Sequence, residues 1–166
     1  MQNIRFFFSF PEFVNEISAR LVATGVLFMC IVALILVTQQ NTLAIFITGV
    51  LVYGFMARAS SGPKVSPLAL LVTKIIVPRL GLSERIVPGP PKRFAQTIGL
   101  IVSSLALYSL IIGSNDFASA LLLLLSFFAF LESVFGYCFG CKVFKFLIFA
   151  GLVPQDVCDR CVGYQY

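Results

Sequence analysis

The stretch "LVATGVLFMCIVALILV" (residues 21–37) runs for seventeen residues without a charged side chain. A helix rises 1.5 Å per residue, so about 20 apolar residues cross the ~30 Å hydrocarbon layer of a bilayer. A lone strand would leave its backbone polar groups without partners in lipid. The stretch therefore predicts a transmembrane helix.

Three further apolar stretches predict three more spans, at 43–57, 95–113 and 118–137. Short polar turns, "TQQNT" (38–42) and "SNDF" (114–117), connect the first span to the second and the third to the fourth. Turns this short return the chain at once, so the connected spans are antiparallel. The predicted fold class is an all-α integral membrane protein with four antiparallel transmembrane helices in a single domain, residues 1–166.

The composition agrees with a membrane protein. Hydrophobic residues make up 59% of the chain and charged residues 11%, against about 45–50% and about 25% in globular proteins. The formal net charge of +5 is a possible signal for nucleic acid, but the basic residues flank the spans, so lipid and not nucleic acid is the expected partner. The chain contains no His, which excludes Ser–His and Cys–His nucleophilic catalysis.

The basic residues also predict the orientation of the chain. All 12 Lys and Arg residues lie in the N-terminal arm, in the section between the second and third spans, or in the C-terminal tail. The two short turns contain none. Basic residues accumulate on the cytoplasmic side of spanning helices. We therefore expect a multi-pass protein of the cytoplasmic (inner) membrane with both termini in the cytoplasm.

The section between the second and third spans contains a second kind of helix. Its apolar stretch, about 66–77, includes Lys74 and ends at Pro78, so it is too short and too interrupted to span. Basic residues among aliphatic ones are typical of a helix lying in the membrane interface. We predict an amphipathic cytoplasmic helix here.

Three blocks carry a resemblance to a known family: "ARASSGPKVSPLA" (57–69), "PGPPKRFAQTIGL" (88–100) and "LESVFGYCFGCKVF" (131–144). In order and spacing they resemble a family of small bacterial membrane proteins, domain of unknown function 4395. The likeness extends from the second span to the tail. It implies a polytopic helical protein of a bacterial membrane and no established activity.

The tail, 138–166, holds four of the five cysteines. They form two Cys-x-x-Cys pairs with sixteen residues between them: Cys138 and Cys141, then Cys158 and Cys161. This spacing is typical of a four-thiolate zinc site, and iron would accept the same ligands. Cytoplasmic thiols are kept reduced, which disfavours a disulfide framework.

The cysteines leave three interpretations open. As a structural metal site they would belong to a non-enzymatic accessory or scaffold subunit, docked to other membrane-protein subunits. Alternatively, each pair is a redox or sulfur-transfer dithiol, because the Cys-x-x-Cys motif lowers a thiol pKa. The third interpretation makes them small buried apolar side chains.

Glu132 is an acidic residue inside the predicted fourth span, six residues before Cys138. A carboxylate inside a membrane is costly and marks a candidate functional site. We expect it to accept a proton from a thiol, to bind a cation, or to pair with Arg93 at the start of the third span. A small-solute transporter or channel built around Glu132 is a further alternative, and a structural ion pair is the simplest one.

Overall fold

The computed structural model describes residues 13–81 and 86–150. The elements in chain order are β1 (Phe13–Asn15), α1 (Glu16–Thr38), α2 (Leu43–Ser61), α3 (Pro67–Leu71), α4 (Val77–Leu80), β2 (Ile86–Pro88), α5 (Gly89–Ile111), α6 (Asn115–Phe135) and α7 (Phe139–Phe149). A 3₁₀ turn, Gly62–Lys64, precedes α3, and a π-helical segment, Val72–Ile76, joins α3 to α4.

Four helices, α1, α2, α5 and α6, are long and apolar enough to cross a membrane, with mean hydropathies of 1.7 to 2.8. The prediction of four apolar helices long enough to span a membrane is confirmed. The third of these long helices, α5, begins at Gly89, whereas the third span was predicted to begin at residue 95. Pro90 and Pro91 lie in its first turn, where a missing N–H breaks no intrahelical hydrogen bond. The proline-rich stretch therefore starts the helix and brings Lys92 and Arg93 into it.

The four long helices pack closely through small side chains. Helix α1 contacts α6 and α2, and α5 contacts α2 and α6. Cys30, Ala33, Ala106 and Ala118 are all fully buried between the helices, and small residues of this kind let helix backbones approach each other in lipid. Large apolar side chains such as Phe46 point outward, which suits a protein whose solvent is lipid.

The predicted interfacial helix is helical from Pro67 to Leu80, with a change of pitch in the middle. Pro78 has no N–H to donate to the carbonyl of Lys74, and the wider π-helical turn occurs immediately before it. Ala69 and Val72 are buried against α1. Lys74 and Ile75 are exposed. The segment therefore covers one side of the bundle.

Strands β1 and β2 form a short antiparallel pair in which Val14 lies opposite Val87. Helix α1 begins directly after β1, and α5 begins directly after β2. The Asn15 side chain accepts a hydrogen bond from the N–H of Ile17 at 3.0 Å and so caps α1. The pair thus holds the first turns of α1 and α5 at one end of the bundle, next to the candidate site.

Candidate functional site

The site is built where α6 ends. Gly136 has a φ of +65° and stops the helix, a conformation that glycine adopts without strain. Its N–H donates to the carbonyl of Glu132 at 3.1 Å, and the chain turns directly to Cys138. Arg20 of α1 fixes this end, because its Nη2 donates to the carbonyl oxygen of Val134 at 2.7 Å. A cation at a helix C-terminus also complements the helix dipole.

Cys138 and Cys141 lie at the N-terminus of α7. Cys138 is the residue that precedes the helix, and Cys141 lies in its first turn. Neither is in a disulfide in the described part of the chain. The Cys141 thiol donates a hydrogen bond to the Cys138 sulfur, which lowers the pKa of Cys138 and raises the pKa of Cys141. The N-terminal dipole of α7 also favours the thiolate of Cys138.

A close backbone contact sets the position of the two thiols. Gly140 lies against α5, and a Cβ placed on it would stand 2.6 Å from the Cβ of Ala95 and 2.7 Å from its Cα. The ring of Phe139 stacks on Phe128 of α6 with centroids 4.7 Å apart. Glycine inside the Cys-x-x-Cys pair is therefore what allows the start of α7 to sit directly on the bundle.

Glu132 forms an ion pair with Lys92. The Nζ of Lys92 lies 2.5 Å from the Oε1 of Glu132, and the two side chains are 9% and 16% exposed. Arg93, the partner hypothesised from the sequence, donates from its Nε to the carbonyl oxygen of Ala59 at 3.1 Å and is exposed. One residue turns the helix by about 100°. Lys92 therefore faces the interior while Arg93 does not.

A second cation, Arg58 at the end of α2, is 6% exposed. Its Nε donates to the Oε1 of Gln96 at 2.9 Å and its Nη1 to the hydroxyl of Ser66 at 3.4 Å. The guanidinium also lies 4.6 Å from the ring centre of Phe55, a cation–π contact. Among the described residues, the hydrogen-bond partners of Arg58 are neutral groups.

These side chains surround a cavity of about 350 Å³. The polar groups on its wall include Arg58, Lys92, Gln96, Glu132 and Cys138. Most of the remaining lining is apolar and comes from α1, α2, α5 and α6. The cavity has the features of a ligand pocket, since such pockets are mostly apolar with a few convergent polar groups.

Glu132, Cys138 and Cys141 were predicted site residues, and the structure brings two of them, Glu132 and Cys138, to the cavity wall. Lys92, Arg58 and Arg20 were not predicted. A signal for Lys92 was present: Lys92, Gly99, Ser103 and Ala106 recur at helical spacing and are all buried on one face of α5. A cation that continues the buried stripe of a helix faces the interior.

Cys158 and Cys161 lie outside the described residues. Within the ranges that the structure describes, no three His, Cys, Asp or Glu side chains are grouped so that they would hold a metal ion, and only two of the four predicted ligands fall in those ranges. The adjacent Cys138 and Cys141 thiols fit two positions of a tetrahedral thiolate site. The four-thiolate site stays a prediction.

The sequence profile described as "Domain of unknown function (DUF4395)" matches residues 14–148. The match covers both strands and all seven helices except the first residue of β1 and the last residue of α7. No curated protein and no solved structure matches the chain.

Proposed function

The chain belongs to the family described as domain of unknown function DUF4395, whose description gives no activity, and we propose from its own residues that it is a membrane thiol–disulfide exchange protein. The observation that carries the proposal is the position of the Cys138–Cys141 pair at the N-terminus of α7, with Cys138 on the cavity wall. A low-pKa thiol with a second thiol beside it is the arrangement that exchange requires.

The reaction proceeds in two steps. The Cys138 thiolate attacks a substrate disulfide, so that one substrate sulfur leaves as a thiolate and a mixed disulfide forms. Cys141 then gives up its proton and attacks the Cys138 sulfur, which releases the second substrate thiolate and leaves a Cys138–Cys141 disulfide. The substrate disulfide gains two electrons, and the protein dithiol loses two.

The Lys92–Glu132 ion pair controls the charge at the thiols. The positive charge of Lys92 favours both thiolates, whereas the carboxylate of Glu132 disfavours them. The two effects oppose each other, and Lys92 is held by Glu132 at 2.5 Å. In this proposal the pair positions Lys92 near the nucleophile, and the proton that Cys141 loses goes to the departing substrate thiolate.

The proposed location is a bacterial cytoplasmic membrane, with four antiparallel spans and both termini in the cytoplasm. The distribution of the 12 Lys and Arg residues supports this orientation. Exposed Leu71 and Ile75 would enter the acyl boundary, with Lys74 and Arg79 near lipid phosphates. Impermeant thiol reagents added to intact cells should then fail to label Cys138.

The exchange function is tested with the purified full-length protein and oxidised glutathione. Cys138→Ser should abolish formation of the mixed disulfide, and Cys141→Ser should trap it, because the resolving thiol is missing. Cys30→Ala is the matched control, since Cys30 is fully buried in the bundle. Equal and complete activity in all three variants would contradict the proposal. Mass spectrometry identifies each adduct.

A second candidate function is a structural zinc or iron site in an accessory subunit of a larger membrane complex. The adjacency of Cys138 and Cys141 favours it, because this pair and the Cys158–Cys161 pair together would supply the four ligands of a tetrahedral site. Elemental analysis tests it: about one metal ion per chain is expected, and Cys138→Ser, Cys141→Ser, Cys158→Ser and Cys161→Ser should each lose it. Metal-free protein with a trapped adduct in Cys141→Ser would exclude this function.

A further inference from the structure

We propose that the cavity binds the head group of a lipid-soluble quinone and that this quinone takes the electrons of the Cys138–Cys141 dithiol. The inference rests on the proposed exchange function, whose two steps are reversible. When a substrate dithiol reduces the Cys138–Cys141 disulfide by the reverse of those steps, the quinone is the two-electron acceptor that regenerates the disulfide. Three observations point to this class of ligand: where the cavity lies, which polar groups face it, and which sulfur is on its wall.

The position of the cavity selects a ligand that dissolves in lipid. Its apolar wall is formed by residues of the spanning helices, among them Val26, Phe55, Val102 and Leu125. A volume of about 350 Å³ lies at the small end of the range for ligand pockets, about 300–1,000 Å³. The size suits one ring-sized head group, and the aromatic side chains Phe55 and Phe128 suit a flat ring.

The polar groups select a ligand that accepts hydrogen bonds and gains negative charge. Three cationic side chains line the cavity, Arg58, Lys64 and Lys92, against one carboxylate, Glu132, in the described part of the chain. Arg58 and Lys92 are 6% and 7% exposed. Cations that water reaches poorly stabilise a nearby anion strongly. A quinone carries two carbonyl oxygens, and it becomes a phenolate when a nucleophile adds to its ring.

The chemistry of the dithiol completes the argument. The Cys138 thiolate adds to a ring carbon, a carbon–sulfur bond forms, and the ring electrons move to an oxygen. Cys141 then attacks the Cys138 sulfur; the disulfide forms, the carbon–sulfur bond breaks, and its electron pair stays on the ring. The two thiol protons go to the two oxygens. Two thiols and one quinone therefore yield one disulfide and one hydroquinone, and the atoms and electrons balance.

The test uses the reduced full-length protein in phosphatidylcholine vesicles with decylubiquinone as the probe. Hydroquinone formation is followed by ultraviolet absorbance, and the Cys138–Cys141 disulfide by mass spectrometry. We expect one hydroquinone for each disulfide formed. A parallel sample receives oxidised glutathione. If glutathione oxidises the dithiol and the quinone does not, the quinone inference is overturned while the exchange function stands; if neither does, both are overturned.

Two neighbouring residues of α5 provide a matched pair of variants. Val102 lines the cavity, whereas Ile101 is 55% exposed on the outer face. Val102→Phe should slow oxidation by the quinone about tenfold or more, the factor that an overfilled site produces, and leave oxidation by glutathione unchanged. Ile101→Phe should change neither rate. Equal quinone rates in the two variants would overturn the assignment of the cavity.

A second measurement does not depend on the folding of any variant. A photoreactive azidoquinone is added to the unmodified protein and illuminated, and the labelled peptides are identified by mass spectrometry. We expect label on the cavity-lining parts of α5 and α6, and an excess of decylubiquinone should suppress it. Label confined to the outer faces of the helices would overturn the proposal.

Discussion

The two halves of the helical bundle differ in how they are filled. In the half next to the turns after α1 and α5, Ala33, Ala44, Ala106 and Ala118 are at most 3% exposed, and Leu122 is fully buried. The other half contains the cavity of about 350 Å³ and the buried side chains of Arg58 and Lys92. The filled half holds the helices together by packing. The open half contains buried charges that packing does not require, and such charges mark a candidate functional site.

The largest effect is expected from breaking the ion pair in the open half. Lys92→Met and Glu132→Gln should each lower the free energy of unfolding by about 3–5 kcal/mol, because each leaves one buried charge without its partner. The double variant should recover most of the loss. Arg93→Gln is the matched control: Arg93 is exposed, so the loss of its contacts should cost about 1 kcal/mol or less. Denaturant titrations in detergent measure all four; a double variant no more stable than the singles would contradict the pairing.

The next effect compares the two halves on a single helix, α6. Ala118 is fully buried in the filled half, whereas Ala129 lines the cavity. Ala118→Leu should cost about 1–3 kcal/mol through overpacking, while Ala129→Leu should cost clearly less because its side chain enters existing space. Thermal unfolding of both variants checks this. Equal losses would mean that the two halves are equally full.

A smaller effect is expected where α7 rests on α5. In Gly140→Ala, the added Cβ would lie 2.7 Å from the Cα of Ala95, so α7 must shift, at a net cost of about 1 kcal/mol after the gain in helix propensity. Gly49→Ala is the control, because nothing lies within 4 Å of its Cβ. That variant should gain up to about 1 kcal/mol. Unfolding titrations compare the two variants. If both are more stable than the unmodified protein, the contact between Gly140 and Ala95 relaxes at no cost in free energy.

The last prediction concerns the reactivity of the two thiols and not the stability of the fold. The hydrogen bond from Cys141 lowers the pKa of Cys138, and Lys92 lowers it further while Glu132 acts in the opposite direction. Cys138 should therefore remain a thiolate at pH values at which Cys141 is already protonated. Alkylation with iodoacetamide, quantified for each cysteine by mass spectrometry, should give a lower midpoint for Cys138. A lower midpoint for Cys141 would reverse the assignment of attacking and resolving thiols.

The filled half was the more predictable of the two. Lipid forces the backbone into helices, so runs of apolar residues were sufficient to find the four spans. The thiols of Cys138 and Cys141 were found from their spacing, and Glu132 from its position in a span. Their arrangement around a cavity depends on how separate helices pack, which a single sequence does not contain.

Three cations, Lys92, Arg93 and Arg58, show the physical limit of the sequence argument. Lys92 and Arg93 are adjacent in sequence, and only the rotation of α5, which begins at Gly89, decides which of them meets Glu132. Arg58 was counted among the charges that orient the chain, and its burial depends on Ser66 at the start of α3 and on Gln96, 38 residues further along the chain. The charge of each side chain can be read from the sequence, but the direction in which the side chain points cannot.

The contact between Arg20 and the carbonyl oxygen of Val134 joins residues 114 positions apart in the chain. Ribosomes add about 5–20 residues per second, so Arg20 waits on the order of 6–20 s before its acceptor has been synthesised. The segment from Cys138 onward emerges later still. The first helix is therefore made with its anchor unused, and the dithiol can form only after all four long helices have been synthesised.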